Sequence, residues 1–208
     1  MPKPTAPPAE RYNFTDVPTA DDQRTDGELL HAHLAGDRYA FGELVERHRR
    51  VLWSVAVRAM DSAEDAAEAV QDGLLRAHQG AVGFRGEANV RNWLVRIVVN
   101  ACRDRYRYNR ARPALPPRGT TEVDVPAPRN PIEDHELRLD VEQALRRLPM
   151  DQRLAVVLVD VQGYSVAEAA QMLRVPAGTV KSRCSRARAR LGELLRPGTP
   201  AAATGERP

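Results

Sequence analysis

VPAGTVKSRCSRARARL, residues 175–191, carries five basic side chains and no acidic one, with one of the chain's two cysteines in its middle. It reads as a disordered basic tail, a solvated helix face, or a helix shaped to lie against something negative. Helical spacing discriminates among these. At about 100° per residue, Val180, Cys184, Ala187 and Leu191 fall in one narrow stripe. Ser182, Ser185, Arg186 and Ala189 fall opposite. Thr179, Arg183 and Arg190 flank one edge, and Lys181 and Arg188 the other. The segment is therefore predicted to be an amphipathic helix with one packed and one basic face. Cys184 belongs to the packed face, as a small buried hydrophobe.

The residues upstream give this helix a partner. Ser165 and Glu168 form an S-x-x-E capping box that opens a short helix, VAEAAQML. Ala169 and Ala170 are small enough for another helix to cross closely. A turn around RVPAG then leads into the basic helix. A short helix, a tight turn and a basic second helix make a helix-turn-helix, whose second helix fits the DNA major groove. Lysine and arginine there reach phosphates, and Ser, Arg and Lys reach base edges. Further back, Leu137, Val141, Leu145 and Leu148 mark a helix ending near Pro149. Asp151 is placed to cap the next, through LAVVLVDV, with Gly163 at its exit.

Before this block lies PALPPRGTTEVDVPAPRNP, residues 113–131, whose six prolines exclude a continuous helix. At about 3.3 Å per residue it reaches roughly 60 Å. Such a tether suggests two modules that work at separated points. The earlier module runs from about Asp26 to Arg112. Phe41, Leu44, Val45, Leu52, Val55 and Ala56 recur near helical spacing. Ser62 with Asp65 starts the next helix, whose buried stripe is expected at Ala66, Ala67, Val70 and Leu74. GAVGFRGEAN breaks the periodicity. A further helix carries Trp93, Leu94, Ile97, Val98 and Ala101 on one side. Arg96, Asn100, Arg103 and Arg107 share another face, at spacings of four, three and four. Aromatics among these cations, Phe84, Trp93, Tyr106 and Tyr108, suit exposed bases that stack. Trp93 suits the core equally well.

Net charge is only +3, from 31 basic and 28 acidic residues, but the charges are segregated. Asp61, Glu64, Asp65, Glu68 and Asp72 form an acidic run, a solvated or partner-binding face. The basic run from Arg96 to Arg112 is interrupted only by Asp104. Grouped charge points to two kinds of partner surface, one of them polyanionic. Cys102 and Cys184 make no disulfide framework and no zinc spacing, which fits a reduced cytoplasm. His31 and His33 lie on different helix faces and are a poor metal pair. No Walker loop, HExxH or nucleophile elbow occurs, so neither an enzyme nor a cofactor or metal is expected. No apolar stretch reaches the roughly 18 residues of a membrane span, and MPKPTAPPAERYNF lacks the apolar core of a signal peptide.

GYSVAEAAQMLRVPAGTVKSRCSRARARL resembles region 4 of the extracytoplasmic-function (ECF) sigma factors of the sigma-70 superfamily, small bacterial transcription initiation subunits. LPMDQRLAVVLVDVQGYS fits the same pattern. EAVQDGLLRAH is similar to their region 2.2, and FRGEANVRNWLVRIVVNACRDRYR to regions 2.3 and 2.4. VNAC, QGYS and GTVKSRC look most like the sigma-M branch. The likeness covers nearly everything from Asp26 to Leu195. It departs at Glu68, where the family usually has Asp, at Gly73, where an apolar residue is usual, and at His78, which replaces a common tryptophan.

The resemblance implies an all-α protein of two small helical domains. Region 2 would span 26–112 and region 4 132–195, joined by the linker 113–131, with disordered arms at 1–25 and 196–208. It implies core RNA polymerase bound through Glu68, Gln71 and Asp72. Phe84, Arg85, Gly86, Glu87, Ala88 and Asn89 would form the loop that captures a flipped −10 base. Trp93, Arg96, Asn100, Arg103 and Arg107 would lie by the melting junction. Lys181, Ser182, Ser185 and Arg186 would read the −35 element, while Thr179 and Arg183 hold phosphates and Arg190 belongs to the same −35 surface. The ~60 Å reach of the linker compares with about 18 base pairs at ~3.4 Å each. An anti-sigma protein would be a further partner, and the site of action the cytoplasm. The rival readings are an ordinary helix-turn-helix repressor or activator, which binds its operator alone, and an adaptor that binds polymerase and reads no promoter.

Overall fold

The structure, a computed structural model, describes residues 24–84, 86, 89–111 and 133–196, the backbone alone at 133–138. The linker, residues 1–23 and 197–208 of the two arms, and loop residues Arg85, Glu87 and Ala88 lie outside the described residues, whereas Thr25, expected in the first arm, caps α1. All described regular structure is helical. The first block holds α1 (Asp26–Leu34), α2 (Ala40–Ala59), α3 (Ala63–Gly80), a single 3-10 turn at Ala81–Gly83, and α4 (Val90–Ala111). The second holds α5 (Glu133–Arg146), α6 (Met150–Val156) continuing into a π-helical turn at Val157–Val161, α7 (Val166–Leu173) and α8 (Ala177–Leu194).

The helix starts follow local chemistry. Thr25 and Glu28 form a capping box on α1, Ser62 accepts from the Asp65 amide on α3, and Ser165 and Glu168 form the box on α7. Gly163 takes φ +74° at the exit of the π turn. One expectation fails here. Asp151 caps nothing: α6 begins one residue earlier behind Pro149, leaving the Asp151 carboxylate free to reach sideways. The left-handed residue between α7 and α8 is Arg174, φ 53°. Its amide closes back on the Ala170 and Gln171 carbonyls.

In the first block α3 lies along α4, and α2 packs across both. The α3 stripe is Ala66, Ala69, Gly73 and Ala77, with Ala67 exposed. The expected stripe is rotated because α4 comes very close. A Cβ on Gly73 would stand 3.0 Å from Val98 Cγ2 and 3.2 Å from its Cα. A glycine in place of the usual apolar residue is what permits that approach. His78 lies tilted against His33 at 4.6 Å between centroids and meets Phe41 edge-on at 5.1 Å, joining α1, α2 and α3 where a tryptophan is common.

The two blocks touch. α7 lies on α4, α5 and α6 lie on α2, and one apolar cluster runs from Leu29 and Leu44 through Trp93 and Val99 to Leu158, Leu173 and Cys184. The tether suggested separated modules; here they are packed together. Polar contacts cross the same seam: Gln162 Nε2 donates to Ser54 Oγ at 2.8 Å, and Asn92 Nδ2 to Glu168 Oε1 at 3.2 Å. Arg153, 2% exposed, donates across it to the Ala59 carbonyl at 2.8 Å and to Asp61 at 2.7 Å.

Candidate nucleic-acid interface

α8 has the two faces that its spacing predicts. Val180, Cys184 and Ala187 are buried against α6 and α7, with Leu191 half-buried. Lys181, Ser182, Ser185, Arg186 and Arg190 are exposed, and Thr179 is half-buried at the first turn. No side chain caps the N-terminus of α8 and no acid stands in its first turn. Its free amides therefore point toward the region where an anion would be favourable. Arg186 rests on its own helix, Nε donating to the Ser182 carbonyl at 3.2 Å. Arg183 differs from its neighbours. Its side chain is 17% exposed, and Nη2 donates to Asp151 at 2.6 Å.

Burial raises the Cys184 thiol above its ordinary value, reinforced by the nearby Asp160 carboxylate and opposed by Arg188. Burial pushes Cys102 up to about 12. Both thiols therefore stay protonated at neutral pH and make poor nucleophiles. Cys184→Ala is expected to cost about 1 kcal/mol through lost packing, read as a shift of the urea midpoint. A Cys184 that reacts rapidly with a thiol reagent in the folded protein would contradict this placement.

On α4 the candidates separate. Trp93 is buried, so it belongs to the core, and Phe84 packs on it at 5.2 Å between centroids. Gly86 takes φ +73° in the loop after Phe84. Asn89 begins α4: its Oδ1 accepts from the Arg91 amide at 2.8 Å and its carbonyl from the Trp93 amide at 3.0 Å. Arg96 and Asn100 are half-buried on the α4 surface. Arg107 is exposed and pairs with Asp104 at 2.6 Å. Arg103 is 20% exposed, and its guanidinium donates to the Leu173 carbonyl and to Asp151 at 3.0 and 3.2 Å. The face that spacing assigned to one ligand is thus partly occupied by the second block.

Glu68, Gln71 and Asp72 lie exposed along α3. Glu68 also pairs with Arg105, which reaches Asp65 at 2.8 Å and clamps α3 to α4. Burial alone would raise the Asp65 carboxyl; hydrogen bonds from Asn109, Arg105 and Ser62 and the Arg105 charge outweigh it and hold it below the usual carboxylate range. That clamp is complete above the ordinary carboxylate range and is lost as pH falls through the depressed value. Leu75, 57% exposed, continues the same stripe one turn on. Helical spacing from Asp72 could have found it; the expected stripe ended at Leu74 and left Leu75 unassigned. Asp151 and Arg153 were also missed, and only their tertiary partners reveal them.

Among the described residues no three His, Cys, Asp or Glu side chains gather as a metal site, and no helix is long and apolar enough to cross a membrane.

Comparison with known proteins gives a consistent result. The family model described as Sigma-70 region 2 matches residues 44–112, and that of Sigma-70, region 4 matches residues 138–191. The chain is 52% identical over 173 residues to the ECF RNA polymerase sigma factor SigM of Mycobacterium tuberculosis, covering 83% of this chain and 86% of that one. It is 31% identical to the ECF RNA polymerase sigma-E factor of Haemophilus influenzae, covering 85% and 98%. Among solved structures it is similar to CnrH in complex with the cytosolic domain of CnrY, with TM-score 0.61, 31% identity, and 82% and 96% covered. It is also similar to the sigma factor RpoE in complex with the anti-sigma factor NepR from Bartonella quintana, with TM-score 0.61, 28% identity, and 76% and 97% covered.

Proposed function

Since this chain belongs to the ECF sigma factors, non-catalytic subunits that direct RNA polymerase to promoters, we propose how its own residues divide that work. The −35 element is read by α8. Lys181, Ser182, Ser185 and Arg186 meet base edges, and Thr179, Arg183 and Arg190 meet phosphates. The observation that carries this assignment is the split of α8 into a buried Val180–Cys184–Ala187 side and an exposed basic side, behind an uncapped N-terminus. A helix so divided presents cations and short polar side chains together to the major groove.

The −10 element goes to the other block. The loop Phe84–Asn89 takes an unstacked base, and its first residue, Phe84, is anchored on the buried Trp93. Arg96, Asn100, Arg103 and Arg107 line the strand that emerges. Unstacking a base costs a few kcal/mol, which contacts in the loop must offset. Core polymerase docks on Glu68, Gln71 and Asp72. The blocks are 26–112 and 132–195, and the tether 113–131 is long enough to let them bind promoter elements ~60 Å apart. An anti-sigma protein is a further partner, as the anti-sigma factor NepR is of the sigma factor RpoE in the Bartonella quintana complex.

Transcription reconstituted with core enzyme tests the assignment. The free protein is expected to give weak footprints. Core should raise the effective concentration of the second module once the first is bound. An exchanged Phe84–Asn89 loop should impair strand opening, read by permanganate reactivity, and a premelted template should partly rescue it. Loss of −35 preference alone from that exchange would refute the division of labour.

A further inference from the structure

One carboxylate holds two arginines that come from the two opposite ends of the proposed DNA surface. Asp151 Oδ1 accepts from Arg103 Nη2 of α4 at 3.2 Å, and Oδ2 accepts from Arg183 Nη2 of α8 at 2.6 Å. Arg103 also donates to the carbonyl of Leu173, the last residue of α7, at 3.0 Å. The side chains of Arg103 and Arg183 keep only 20% and 17% of their exposure, and Arg183 Nη1 is buried without a hydrogen-bond partner. Asp151 itself remains 52% exposed, so the pairing is open to competition from solvent.

We propose that Asp151 is an intramolecular latch that takes the place of DNA phosphate, holding the two blocks closed and both arginines occupied until an anion of the promoter backbone replaces it. This rests on the proposed reading of α4 and α8.

Three further observations support it. First, closure and promoter reading exclude each other. α7 sits on α4, whereas elements ~60 Å apart require the blocks to separate. Second, the seam's other polar contacts engage no arginine assigned to DNA: Arg153 donates to Ala59 and Asp61, Asn92 to Glu168 and Gln162 to Ser54, and the Arg91 guanidinium lies 5.7 Å from the Tyr164 ring. Third, Asp151 was free to reach sideways because Pro149, not Asp151, stands at the start of α6. A carboxylate oxygen and a phosphate oxygen both accept a charge-assisted hydrogen bond from a guanidinium, so a backbone phosphate can take the place of the single oxygen that each arginine now holds.

The test needs no promoter sequence. Fluorophores on cysteines introduced at the exposed positions Gln79 of α3 and Gly192 of α8 report the separation of the blocks. Asp151→Asn is compared with Asp160→Asn, which removes a carboxylate paired with Arg188 within the second block alone. The probe is a short random-sequence DNA duplex. Asp151→Asn is expected to lengthen the label separation without DNA and to tighten duplex binding by about 3–10-fold. In the unmodified latch, adding duplex should lengthen the separation. Unchanged separation in Asp151→Asn overturns the latch. So does an equal gain of affinity in Asp160→Asn, which would reduce the effect to plain charge. Transcription with core enzyme by the wild-type chain decides the functional reading separately, since the label separation requires neither polymerase nor promoter.

Discussion

Replacing Arg153 with methionine is expected to lower the unfolding free energy by about 3–5 kcal/mol, the range for removing one partner of a buried charged network. The side chain is 2% exposed. Nη1 donates to the Ala59 carbonyl and to Asp61, and Nη2 to the carbonyls of Arg146 and Leu148. Ala59 is the last residue of α2, and Arg146 the last of α5. Helix C-termini leave carbonyls without intrahelical donors and carry partial negative charge. One guanidinium therefore satisfies two helix ends belonging to two different blocks. Methionine fills much of the volume but leaves those carbonyls buried without donors. Arg153→Lys keeps the charge, but a single ammonium lacks the fork that spans both ends, so it should recover only part of the loss. Asp61→Asn should cost under about 1 kcal/mol, because Asp61 is largely exposed. Urea unfolding followed by circular dichroism measures all three. A methionine variant within about 1 kcal/mol of wild type would show that water replaces the guanidinium at both helix ends.

Arg153 also shows where reading the sequence stops. In DQRLAVVL it is one charge before an apolar run, and nothing local distinguishes it from Arg146 or Arg147. Its partners lie 94 and 92 residues away, at Ala59 and Asp61. By contrast, the faces of α8 and the box at Ser165 and Glu168 were legible, because period and capping act within a few residues. The stripe of α3 lies between these cases. Val70 and Leu74 were favoured by size, yet Ala69, Gly73 and Ala77 face α4, since close approach selects for small volume. The proline-rich tether gave the reach of the modules and said nothing about whether they meet. Their contact depends on surfaces, Ser54 against Gln162 and Asn92 against Glu168, that are unremarkable as residue types. The all-helical class and the two-part organisation followed from periodicity; the closed arrangement and the double role of Asp151 required coordinates.

The second large effect concerns specificity. Arg186→Ala is expected to cost about 1–3 kcal/mol on the preferred −35 sequence, roughly 5- to 150-fold in affinity, and distinctly less on a scrambled one. Arg186 stands opposite the buried Cys184 side, and its guanidinium is parked on Ser182, with Nη2 3.4 Å from the hydroxyl and Nε 3.2 Å from the carbonyl. These are weak, exposed contacts of the helix with itself, so turning outward to a base edge forfeits little. A guanidinium that meets two acceptors on one guanine discriminates against other bases, whereas one that meets a phosphate does not. Arg183 supplies the internal comparison. It lies at the edge of α8, mostly covered and bound to Asp151. Its alanine variant should weaken binding to every sequence alike and reduce the salt slope by about one unit. Competition between preferred and scrambled duplexes for the assembled holoenzyme, repeated over a range of salt, separates the two behaviours. If Arg186→Ala lost affinity equally on both duplexes with a reduced salt slope, Arg186 would be a phosphate contact. Base reading on α8 would then have to rest on Lys181, Ser182 and Ser185.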